Sequence, residues 1–216
     1  SPANTSTELL MTIGAWASSS QFGATVASRT GVTTTSTHRL LLTTGVLPFV
    51  YAGGLLRNMA VSTVDATNVN VTYPVTANSN QRYFWMLCIR GAKCQVGTFD
   101  PFAGSTIATT GITPKLFLPV MVPTGVTLAG TVNNILNLSI GASDGTNNVS
   151  CGITDNNGVT TTNARRFQSS SSLVQYDATG TKQFEATAAF SGESVVLTRS
   201  TNSQYYGEMG YLVIGK

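Results

Sequence analysis

Apolar residues recur along this chain in short runs separated by clusters of Gly, Pro, Asn and Ser. Nowhere does a stretch of 12 residues keep a 3.6-residue apolar period, so the pattern predicts strands and few helices or none. The runs that fit strands are Leu9–Trp16, Arg39–Thr44, Leu55–Ser62, Asn70–Pro74, Tyr83–Arg90, Leu116–Val122, Asn134–Ile140, Val149–Thr154, Phe184–Phe190, Ser194–Thr198 and Glu208–Ile214. About eleven strands in 216 residues suit an all-β chain folded as an antiparallel β-sandwich or jelly roll. The most apolar run, Arg82-Tyr83-Phe84-Trp85-Met86-Leu87-Cys88-Ile89-Arg90, reads as a fully buried central strand.

Turn chemistry supports this reading. Asn157-Gly158 lies between two β-rich runs, and Asn-Gly suits the positive φ angles of a tight type I′ hairpin. Asp144-Gly145 and Ser191-Gly192 predict two further reversals. Pro101, Pro114, Pro119 and Pro123 crowd one stretch and demote it to edge strand and connection, because proline cannot donate to a sheet ladder. That stretch predicts a boundary, with one β-sandwich unit over 1–115 and a second over 116–216, either as similar units or as halves of one continuous jelly roll. An internal repeat agrees with the division. The segment Ala52-Gly53-Gly54-Leu55-Leu56-Arg57-Asn58-Met59-Ala60-Val61-Ser62 aligns without gaps onto Ala129-Gly130-Thr131-Val132-Asn133-Asn134-Ile135-Leu136-Asn137-Leu138-Ser139, 77 residues later.

Composition changes the picture in one respect. Hydrophobic residues make up 42% of the chain but charged residues only 10%, against about 25% in an ordinary soluble domain. Thr, Ser and Asn must therefore cover much of the surface, and they favour strands and turns over helix interiors. The net charge of +3 is scattered, with only Arg165-Arg166 adjacent, whereas nucleic-acid binders gather basic residues on one face. Nucleic acid is not an expected partner. No apolar stretch approaches the ~18 residues that span a bilayer, and SPANTSTELL lacks the basic and apolar regions of a secretory leader, so no membrane association is expected.

The candidate chemistry is sparse. Cys88, Cys94 and Cys151 form an odd set without a C-x-x-C, and His38 is the single histidine, so neither a zinc quartet nor a disulfide framework is indicated. The cysteines read as small buried hydrophobes, with Cys88 and Cys94 the one pair a hairpin could join. His38 has no G-x-S-x-G nucleophile to serve and reads as a residue at a strand edge or interface. The nine acids, Glu8, Asp65, Asp100, Asp144, Asp155, Asp177, Glu185, Glu193 and Glu208, are too dispersed to suggest the carboxylate pair of a glycoside hydrolase. Phosphate-binding glycine motifs and calcium loops are missing, and Asp155-Asn156-Asn157 is accounted for by the Asn-Gly hairpin. These features predict no catalytic site, no metal and no cofactor. Trp16 and the pair Tyr205-Tyr206 are the aromatics expected to reach the surface, where a sugar or a neighbouring subunit could stack on them.

The second half carries an ordered set of pieces: Pro123, then Ala129-Gly130-Thr131-Val132, then Thr154-Asp155-Asn156-Asn157-Gly158, then Ser191-Gly192-Glu193, and a closing run from Tyr205 to Ile214. In this order it resembles a β-sandwich module of bacteriophage and prophage structural proteins, over residues 118–216. The first half matches only through LPFVYAGGLLRNMAV. The resemblance implies a virion-surface component of the tail-fibre, head-fibre or capsid-decoration type. It further implies contacts with other virion proteins, a symmetric homo-oligomer such as a trimer, and host attachment as an accompanying role. The alternative expectation is a carbohydrate-binding or receptor-binding module that recognises a bacterial surface glycan. An enzyme such as a depolymerase would need two carboxylates at roughly 5–9.5 Å across a groove.

Overall fold

The fold is described from a computed structural model, for residues 8–29, 36–51, 54–76, 84–122, 135–156, 164–177, 179–202 and 208–216. These residues form strands and turns with no helix. The strands are β1 (Glu8–Ala17), β2 (Ser20–Arg29), β3 (Ser36–Leu42), β4 (Leu47–Tyr51), β5 (Gly54–Val64), β6 (Val69–Thr76), β7 (Lys93–Phe99), β8 (Thr106–Ala108), β9 (Pro114–Met121), β10 (Ile135–Ser143), β11 (Asn148–Asn156), β12 (Arg165–Ser169), β13 (Leu173–Tyr176), β14 (Lys182–Phe190), β15 (Ser194–Asn202) and β16 (Met209–Gly215). All pairings are antiparallel. The all-β reading of the sequence is borne out.

The strands make four sheets. The largest runs β12-β11-β10-β9-β16-β7, beside a sheet of order β13-β14-β15-β8 and two meanders, β1-β2-β3 and β4-β5-β6. One face of the six-stranded sheet meets β13–β15 and β8 through Phe117, Met121, Tyr211 and Val213 packed on Phe184, Val195 and Leu197. Its other face meets the first meander, where Val120, Val122, Leu136 and Leu138 pack on Phe22, Ala24 and Val26. Alternation along a strand explains this double use. In β9, Phe117 and Met121 point one way and Val120 the other, so a strand covered on both faces is apolar at consecutive positions. Close approach adds a local demand: the Phe22 ring lies over Gly210 so tightly that a Cβ there would sit 2.2 Å from it.

The second meander packs on the far face of the first. Thr12 Oγ1 donates to the Pro48 carbonyl (3.1 Å), and the Val61 N–H donates to Gln21 Oε1 (3.1 Å). The sheets therefore stack as successive layers, with two separate cores on either side of the six-stranded sheet.

Several expectations need correction. The run expected as the buried central strand is not one: residues 84–90 lie outside any sheet, and they are exposed. The central places of the six-stranded sheet belong instead to β10 and β9. The cysteines are not buried hydrophobes either, since Cys88 and Cys151 are exposed and Cys94 is only half-buried; all three are free thiols, so Cys88 and Cys94 are not joined. A division at residue 115 does not follow the sheets, because β7 pairs with β16 and β8 with β15. The second core also unites strands from both sides of that point.

The turns fare better. Asp144-Gly145 opens the β10–β11 reversal, with Gly145 at φ 93°, and Ser191-Gly192 closes β14 onto β15, with the Ser191 N–H donating to the Ser194 carbonyl at 3.0 Å. Asn157-Gly158 lies outside the described residues, although its flanking strands β11 and β12 are antiparallel neighbours. The internal likeness continues beyond the aligned segment. β5 turns into β6 through Asp65-Ala66-Thr67-Asn68, and β10 into β11 through Asp144-Gly145-Thr146-Asn147. In both turns the aspartate accepts from the N–H groups two and three residues on, and its own N–H donates to the asparagine carbonyl.

Candidate functional site

Seven of the nine acids hold local structure. Asp65, Asp100, Asp144 and Asp177 each accept backbone N–H bonds in their own turn. Asp155 is buried against Ser28 of β2, and Glu193 of the β14–β15 turn accepts the Gly111 N–H at 2.9 Å. Glu185 collects Lys182 Nζ at 2.8 Å and the hydroxyls of Ser171 and Ser200 at 2.9 Å each. Hydrogen bonds to the ionised form favour it. Asp65 is drawn down to about 2, chiefly by the Thr67 N–H, Asp144 to about 2, chiefly by the Asn147 side chain, and Glu185 to about 2, chiefly by Lys182. These depressed values have structural causes: Asp65 and Asp144 sit in two separate turns and Glu185 on β14. His38 is buried in β3, the edge strand of the first meander, opposite Ala27. Among the described residues no three His, Cys, Asp or Glu side chains come together as a metal cage.

The aromatics expected at the surface divide. Trp16 lies on β1 opposite Gln21 and is half-buried. It occupies the face that also carries Thr12, whose hydroxyl bonds Pro48, so it faces the second meander. Tyr205 and Tyr206 lie outside the described residues.

What the sequence reading did not anticipate is the exposure of its most apolar run. Trp85 is fully exposed, Leu87 is 85% exposed, and Phe84, Met86 and Ile89 each leave more than a third of their surface to solvent. Large exposed apolar patches on soluble domains mark interaction surfaces more often than singly scattered side chains do. The segment leads through Gly91, at φ 83°, and Ala92 into β7, the end strand of the six-stranded sheet. Among the described residues β7 is paired on one side, with β16. Its other side offers the unpaired amide and carbonyl groups of a sheet edge. An apolar strand-forming segment and an open edge thus stand two residues apart. The sequence signal for this arrangement is Gly91 between two strand-like runs, whereas the apolarity of the run points inward.

In comparisons with known proteins, no family model, no curated protein and no solved structure matches the chain.

Proposed function

We propose that this chain is a non-enzymatic structural protein of a virus particle surface, of bacteriophage type, that works through contacts between subunits. The observation that carries the assembling role is the exposed apolar segment 84–89 beside the open edge of β7. Low charge supports it, since 10% charged residues leave little like-charge repulsion or desolvation cost when copies pack together. The engagement of most acids in turns and cross-links supports a binding role over a carboxylate-driven reaction. The virion setting rests on the order of motifs over residues 118–216 and their resemblance to phage structural modules.

Electron microscopy of purified particles, labelled with gold-conjugated antibody against this chain, tests the setting. The reading expects label on the particle surface. Label confined to the soluble fraction would overturn it.

A second reading, a module that binds a bacterial surface glycan, draws support from Trp85, whose freely presented ring could stack on a sugar. Glycan-array binding that disappears in Trp85→Ala would move the assignment to that reading.

A further inference from the structure

We propose that residues 84–90 are an exchange strand: in the assembled protein they leave their own chain and add, antiparallel, to the open edge of β7 in a second copy. This deepens the assembly reading given above by naming its contact surface, and the contact can be tested on the pure protein whatever its setting.

Three observations converge. The first is the segment itself. Residues 84–90 form no hydrogen bond to another described residue, yet Phe, Trp and Ile are among the strongest strand formers. The five large side chains expose on the order of 600 Å² of surface, so a reciprocal exchange between two copies covers on the order of 1,200 Å², the lower end of stable protein interfaces.

The second is the fit of the edge. Read as a continuation across the Gly91-Ala92 link, the segment places Ile89 beside Cys94, Leu87 beside Val96 and Phe84 beside Phe99. Cys94 and Val96 belong to the core under the first meander, and Phe99 packs on the opposite core. A strand in this register therefore makes three apolar pairs, two on one face and one on the other, with Trp85 beside Thr98 and Arg90 beside Lys93 at the end nearest the link. A shift of one residue would exchange the two faces.

The third is the hinge. A two-residue link with glycine at φ 83° separates the segment from β7. Closed, such a link makes a hairpin within one chain; open, it passes the same strand to a neighbour with the same contacts, which is the geometry of domain swapping. In the single chain the segment lies off its own edge, in the open form. Passed reciprocally, the strand makes a pair; passed onward, it closes a ring.

The test is light scattering over a concentration series on the wild-type chain and on Leu87→Lys/Ile89→Lys, with circular dichroism to confirm that the variant folds. Exchange predicts a wild-type mass at a multiple of 22.6 kDa and a variant at 22.6 kDa with unchanged strand signal. Acrylamide quenching in a Trp16→Phe chain, where the signal comes from Trp85 alone, supplies a second readout, and exchange predicts a shielded ring that becomes accessible on dilution. A wild-type monomer with an accessible Trp85 overturns the proposal. So does a monomer with a shielded Trp85, which would mean that the strand folds onto its own β7. An oligomer that persists in the double variant also overturns it, while leaving the assembly reading intact with its contact elsewhere.

Discussion

Ser28 Oγ donates to Asp155 Oδ2 at 2.6 Å across 127 residues of sequence, and both groups are buried. The bond fastens β2 of the first meander to β11 of the six-stranded sheet inside an otherwise apolar contact. Asp155 Oδ1 is held separately by the Asn156 N–H at 2.8 Å. Removing one partner of a buried pair strands the other, whereas removing both can be nearly neutral.

A double-mutant cycle therefore has a definite expected shape. Ser28→Ala should cost about 1–3 kcal/mol, because it leaves a buried carboxyl oxygen without its donor. Ser28→Ala/Asp155→Ala should cost less than the sum of the two single changes. Urea unfolding of the four proteins measures the coupling. Strict additivity would mean that the two layers do not depend on this bond.

Gln175 presents the opposite case. It lies on β13, 1% exposed, and neither Nε2 nor Oε1 has a hydrogen-bond partner. Its β14 neighbour is the core residue Phe184. Gln175→Met keeps the length of the side chain and removes the unpaired amide, so it should raise stability by about 1–3 kcal/mol. Thermal unfolding of the variant checks this, and a lowered midpoint would contradict it.

Acid should weaken the fold through two turn aspartates and Glu185 of β14. The carboxyls of Asp65 and Asp144 are held near 2 against an ordinary 3.8, and that of Glu185 near 2 against 4.5. Because the folded values lie below the unfolded ones, the unfolded chain takes up protons first as pH falls. The stabilisation is complete above about 4.5 and is lost progressively towards about 2. The unfolding midpoint should be level from about pH 5 to 7 and fall steadily below that range. Glu185→Gln should fall less steeply, because Lys182 no longer has a titrating partner there. Equal acid slopes in the two proteins would contradict the role assigned to Glu185.

Much of this architecture was legible before any coordinates, and its limits have physical causes. Ten of the eleven expected strands appear, since apolar runs bounded by Gly and Asn leave little else for the backbone to do. β2, β4, β7, β8, β12 and β13 were not anticipated. In β2, SQFGATVASR, small and polar residues alternate, and its place in the core depends on Phe22 meeting Gly210 from a distant strand. Such a pairing leaves no local trace. The error over 84–90 has the same root: apolarity measures how strongly a run favours burial and says nothing about which surface buries it, or in which copy of the chain. For the candidate site, Trp16 was expected to reach the surface and is half-buried, and Trp85 was assigned to the core.

Hydrogen–deuterium exchange across a dilution series tests the central claim most directly, because it reads backbone pairing at both the strand and its edge. The account predicts that amides of residues 84–90 and the outward amides of β7 are protected together at high concentration and lose protection together on dilution, while β9 and β16 stay protected throughout. Residues 84–90 exchanging freely at every concentration, or protected equally at every concentration, would contradict it.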